Sequence, residues 1–112
     1  MSSDPTLVSY VTEQLAPVGQ IRAKKMFGDY GLYCDDLFFA VFCDNQLFLK
    51  ATPQGEAAFP HLPKAPPYPG AKDSLLVEDL DDREQLCALA RLTCQALADQ
   101  PLPETEEMTY GL

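Results

Sequence analysis

From Arg22 to Ala51 the chain reads RAKKMFGDYGLYCDDLFFAVFCDNQLFLKA, apolar segments of period two separated by short polar pairs. Side chains on a strand alternate between the two faces of a sheet, so this pattern demands consecutive strands rather than helices. Asp35-Asp36 and Asp44-Asn45 stand where two-residue hairpin turns are needed, although neither pair contains the glycine that favours such turns most. The segment is therefore expected to be an antiparallel meander. Leu37 to Cys43 is apolar on both faces, which suits a central strand: strict alternation sends Phe38, Ala40 and Phe42 one way and Leu37, Phe39, Val41 and Cys43 the other. The next run puts Leu47, Leu49 and Ala51 opposite Gln46, Phe48 and Lys50, so one face is partly solvated there. This register predicts a core of Phe39, Val41, Leu47 and Leu49. Phe38, Phe42 and Phe48 would then share the open face as an apolar patch that a helix or a second copy in a homodimer would cover.

Helical signals flank the meander. Asp4-Pro5 supplies an N-cap and a proline at the first helical position, and Leu7, Val8, Val11 and Leu15 follow at helical spacing until Pro17 and Gly19. Thr52-Pro53 repeats the cap and opens a short helix that Pro60 stops. Five prolines from Pro60 to Pro69 leave only loop, polyproline or edge-strand conformations, because proline lacks the donor that a central strand needs. Ser74 to Leu80 is a further strand candidate. Asp81, with Glu84 three residues on, is expected to cap the longest helix, whose buried stripe is Leu86, Leu89, Ala90, Thr93 and Leu97. Residues 1–100 are thus expected to form one domain, with 101–112, PLPETEEMTYGL, as an acidic and flexible tail.

Seventeen acidic residues against eight Lys and Arg give a formal charge of -9, a field that repels phosphate-rich partners, so direct nucleic-acid binding is not expected. No window approaches the roughly 18 apolar residues of a membrane span, and no leader pattern opens the chain, so a cytoplasmic location without membrane contact is expected. Cys34, Cys43, Cys87 and Cys94 include no C-x-x-C pair. Cys87 and Cys94 would be separated by about 10 Å of helical rise, beyond the roughly 7 Å reach of a disulfide. Reduced cysteines filling a core are the expectation, with no metal and no cofactor.

Catalytic constellations are sparse. His61 is the lone imidazole and lies among prolines without a neighbouring nucleophile or carboxylate, so it reads as a loop residue. Asp35-Asp36 and Asp81-Asp82 are adequately explained as turn and cap residues, and Gly28-x-x-Gly31 lies between strands rather than before a phosphate-binding helix. No enzymatic activity is expected. The feature that opposes the acidic composition is the cluster Arg22, Lys24 and Lys25. With Tyr30 and Tyr33 it forms a candidate partner-binding surface, although cations on an edge strand also serve simply to prevent aggregation. A second candidate is a small-molecule-sensing pocket between sheet and helices near Met26, Tyr33 and Phe42.

Lys25-Met26-Phe27-Gly28, then Tyr30-Gly31-Leu32-Tyr33, Phe39-Ala40 and Leu47-Phe48-Leu49-Lys50-Ala51 occur at intervals that resemble the N-terminal domain of the TfoX/Sxy family of bacterial competence regulators. The resemblance spans about Leu7 to Leu97. It implies an α+β, two-layer fold in the order helix, antiparallel β-meander, short helix, strand and C-terminal helix. It further implies regulation by protein–protein contact, alongside a transcription factor in the competence regulators, and supplies no catalytic residues. Two departures qualify the likeness. Asp29 replaces a usual glycine and would be left-handed only at some cost, so the turn is expected to differ there. The proline-rich stretch Pro63 to Pro69 replaces a tyrosine-rich strand pair.

Overall fold

A computed structural model describes residues 3–26 and 28–99; the expected acidic tail, 101–112, lies outside them. Helix α1 (Pro5–Gln14) precedes a 3-10 turn, Ala16–Val18, and strands β1 (Ile21–Met26), β2 (Asp29–Cys34), β3 (Leu37–Cys43) and β4 (Gln46–Lys50). Helix α2 (Pro53–Ala58), strands β5 (Lys64–Ala65) and β6 (Ser74–Val77), and helix α3 (Arg83–Asp99) complete the order. The strands form one antiparallel sheet in the order β1-β2-β3-β4-β6-β5. The fold is α+β, as the residue pattern and the resemblance implied.

Local chemistry explains the element ends. The Asp4 carboxylate accepts from the Thr6 N–H at 2.9 Å with Pro5 at the first helical position, and the Thr52 hydroxyl accepts from the Gly55 N–H at 3.0 Å. At α3 the cap is Asp82, which accepts from the Gln85 N–H at 3.1 Å, one residue beyond the expected Asp81. Asp81 is occupied otherwise, accepting the Tyr10 hydroxyl. Both hairpin turns have positive φ at each central residue: 50° and 70° at Asp35 and Asp36, 54° and 62° at Asp44 and Asn45. These values suit type I′ turns, built without glycine because short Asp and Asn side chains tolerate the left-handed region. The proline-rich stretch supplies β5, which sits at the sheet edge where a missing donor does least harm.

One side of the sheet carries the core. Val8, Val11 and Leu15 from α1 and Leu86, Leu89 and Ala90 from α3 meet Leu32, Phe39, Ala40, Phe42, Leu47, Leu49, Leu75 and Val77. Helix α2 joins the same layer through Gly55, where a Cβ would stand 3.2 Å from Leu89 Cδ1 and 3.5 Å from Leu75 Cδ1. The expected alternation along β3 fails at one point. Tyr33 pairs with Phe38 while Leu32 pairs with Ala40, leaving Phe39 as the extra residue of a β-bulge. Phe39 and Ala40 are consequently both buried, and the parity beyond them reverses. Phe42 joins the core with no exposure, whereas Val41, expected there, faces away and is half-buried.

Candidate functional site

The sheet face away from the helices is built by strand parity. Cross-strand pairing aligns Lys24, Gly31, Val41, Phe48 and Leu76 in one row, with Arg22, Tyr33 and Phe38 in the neighbouring row. Those on β2, β3, β4 and β6 alternate with side chains of the helix-facing core, and Phe48, although buried, lies outside the core cluster. Gly31 matters here because a Cβ would stand 3.0 Å from both Met26 Cε and Phe38 Cε1. Its bare backbone lets the thioether and the ring close over the strand.

Aromatic and cationic groups are layered on this face. The Tyr33 and Phe38 rings are 5.2 Å apart and tilted by 37°. Lys24 Nζ lies 5.7 Å from the Tyr33 centroid, and Lys50 Nζ 4.6 Å from that of Phe38. Arg22 makes a 3.5 Å ion pair with Asp36, both side chains well exposed. Three of the chain's eight cations therefore gather over an aromatic and aliphatic surface on an otherwise acidic protein.

The sequence-derived candidates are divided by the sheet. Arg22, Lys24 and Tyr33 occupy the open face, but Lys25 and Tyr30 belong to the other side, where Lys25 Nζ stands 5.4 Å from the Tyr30 ring and Tyr30 packs against the core. The proposed pocket of Met26, Tyr33 and Phe42 is likewise split: Met26 packs by Gly31 on the open face, Tyr33 pairs with Phe38, and Phe42 is a core residue beneath the helices. The bulge at Phe39 sends Phe42 to the helix side, while plain alternation along β1 and β2 leaves Met26 and Tyr33 on the open face. The apolar patch expected from Phe38, Phe42 and Phe48 loses Phe42 for the same reason, with Val41 and Leu76 taking its place.

Asp29 is the residue that sequence reasoning underrated. It is not left-handed but begins β2, while Gly28 takes a positive φ of 81° in that turn. Its buried carboxylate accepts from the Ser3 N–H at 3.1 Å and the Asp44 N–H at 2.8 Å. Ser3 in turn accepts from the Asn45 N–H at 2.9 Å, and Asn45 accepts from the Asp4 N–H at 2.8 Å. Burial by itself would raise the Asp29 pKa, but hydrogen bonds from the Ser3 side chain, the Asp44 and Ser3 backbone and the Cys43 thiol outweigh it, so the net shift is downward. Asp29 thus ties the N-terminal segment to the β3–β4 turn. The substitution of a carboxylate for a glycine was the available signal.

His61 contacts Gln85 Oε1 at 3.3 Å and the edge of Phe59, an exposed arrangement without a nucleophile. Among the described residues, no group of three or more His, Cys, Asp or Glu side chains is placed to hold a metal ion. No helix among them is long and apolar enough to cross a membrane.

Residues 13–97 match the TfoX N-terminal domain family. The chain belongs to this family. An uncharacterized 12.7 kDa protein in the trpE 5' region of Spirochaeta aurantia is 35% identical over 98 residues, covering 87% of this chain and 85% of that protein. The TfoX N-terminal match covers β1 to β6 and nearly all of α3, so it includes both faces of the sheet. Membership supports a regulatory, competence-related class of domain.

Proposed function

We propose that this TfoX N-terminal domain is a cytoplasmic regulatory or adaptor module that acts by protein–protein contact and catalyses no reaction. The observation that carries the reading is the sheet face that no helix among the described residues covers, where Tyr33, Phe38, Val41 and Leu76 are accompanied by Lys24, Lys50 and Arg22. Aromatic side chains and cations together suit a protein interface, because rings supply contact area at low entropic cost while charge selects the partner. The matching partner is a protein segment bearing carboxylates beside apolar side chains, for example on a transcription factor. A second copy of this chain fits less well, since like faces would bring like cations together.

Neighbouring lysines of β1 provide the test. A photoreactive residue at Phe38 identifies what rests on the face, and the purified partner is then titrated against Lys24→Glu and Lys25→Glu. The reading requires about tenfold or greater weakening by Lys24→Glu, reduced at high salt, with Lys25→Glu close to wild type. Equal loss in both variants, or loss in neither, would overturn it.

A further inference from the structure

A cavity of about 490 Å³ lies between the end of β2 and the later turns of α3, and both Cys34 and Cys94 line it. Cys34 is fixed at the close of β2 by pairing with Ile21 on one side and Leu37 on the other. Its sulfur is also confined by backbone: a Cβ on Gly19 would stand only 2.7 Å from Cys34 Sγ. Cys94 comes from α3 and lines the same cavity from the other side, and burial holds both thiols above their ordinary range. By contrast, the Cys87 thiol donates to the Gln14 carbonyl at 3.1 Å, and Cys43 is a neighbour of Asp29. One pair of thiols therefore shares an open cavity. The helical spacing of Cys87 and Cys94 gave no hint of it, because Cys94 meets a strand residue.

We propose that Cys34 and Cys94 form a modification site, a dithiol that hydroperoxides convert reversibly to a disulfide linking β2 to α3. The Cys34 thiolate attacks one peroxide oxygen, the O–O bond breaks, and water or an alcohol leaves after taking a proton. This produces a sulfenic acid on Cys34. Cys94 Sγ then attacks the oxidised sulfur, the S–O bond breaks with loss of water, and the S–S bond forms. Two thiols have surrendered two electrons and two protons, and one peroxide has been reduced. A small dithiol or an excess of monothiol reverses the modification by exchange.

The order of attack follows from the surroundings. Burial raises the Cys34 thiol and the Asp35 carboxylate beside it adds to the rise, which the Cys94 thiol offsets only in part, so Cys34 remains above the ordinary thiol range. Cys94 is pushed up to about 12, first by burial and then by the negative charge that Cys34 would carry, with Asp35 adding to it. Thiolate is therefore scarce at neutral pH, which makes this a slow site whose oxidation accelerates as pH rises. It answers sustained exposure to peroxide. The inference does not depend on the partner-binding role of the opposite sheet face.

Hydrogen peroxide treatment of the full chain, followed by alkylation under denaturing conditions and peptide mass mapping, tests the site. The four free cysteines should fall to two, with peptides containing Cys34 and Cys94 joined and restored by dithiothreitol. The thermal midpoint should rise on oxidation, and the rate should increase with pH. In Cys94→Ser, dimedone should label Cys34 as a sulfenic acid. Retention of four thiols under conditions that oxidise free cysteine would overturn the proposal, as would a link through Cys43 or Cys87 or one formed only between molecules.

Discussion

The two faces of the sheet draw on similar residue types yet differ in what covers them. Phe39, Phe42, Leu47 and Leu49 have no exposure beneath α1 and α3, while Tyr33, Phe38, Val41 and Leu76 are half-buried on the side where Lys24 and Lys50 lie over rings. Apolar composition does not therefore identify the core of this protein. Parity along each strand does, and in β3 one bulged residue decides that parity.

The largest effect expected comes from adjacent residues on opposite faces. Phe42→Ala should cost about 3–5 kcal/mol, whereas Val41→Ala should cost less than about 1.5 kcal/mol because its site can relax toward solvent. Chemical denaturation of the two variants checks the difference. Comparable losses would place both side chains in one core and remove the bulge from the explanation.

Asp29 comes next, since it joins the N-terminal segment to the β3–β4 turn. Asp29→Ala should cost about 1–3 kcal/mol by leaving the buried Ser3 N–H and the part-buried Asp44 N–H without their acceptor. The pH dependence has a definite sign. A folded-state pKa below the ordinary aspartate value of 3.8 means that the unfolded chain takes up the proton first as pH falls. The carboxylate's contribution is fully present above about pH 5, then declines through 3.8 and the lower folded value. Stability curves of wild type and Asp29→Asn should accordingly converge on acidification. A gap that widens with acid would contradict the downward shift.

Smaller effects are expected on the open face. Gly31→Ala should change stability by about 1 kcal/mol or less, because the crowding atoms are ends of side chains and alanine regains some strand preference. Near-ultraviolet circular dichroism should nevertheless report a change around Tyr33. Smallest of all, Lys24→Glu should move the unfolding free energy by within about 0.5 kcal/mol, measured in the same denaturation assay. A loss above 2 kcal/mol would make Lys24 a structural residue and weaken the contrast between a packed face and a contact face.

The hairpins were legible because their signals are local. Asp35-Asp36 and Asp44-Asn45 interrupt apolar runs, and their left-handed conformations satisfy what a two-residue connection between twisted strands requires. Caps were legible to within a residue: Asp4 and Thr52 act as read, while Asp82 replaces Asp81, which a distant tyrosine recruits. The candidate site was legible only in part. Arg22, Lys24 and Tyr33 share the open face, but Lys25, Tyr30 and Phe42 go to the other, and Lys50 enters from a strand the basic cluster did not include.

Sequence alone determined the elements of this α+β domain and their antiparallel meander, because hydrophobic period, caps and turns act over a few residues. Only the tertiary structure decided which aromatic residues are core and which are surface, since the bulge at Phe39 exists only through pairing with β2. It likewise decided that Asp29 holds the N-terminal segment and that Cys94 meets Cys34. Each depends on groups distant in sequence that folding brings within reach, a relation that no local pattern encodes.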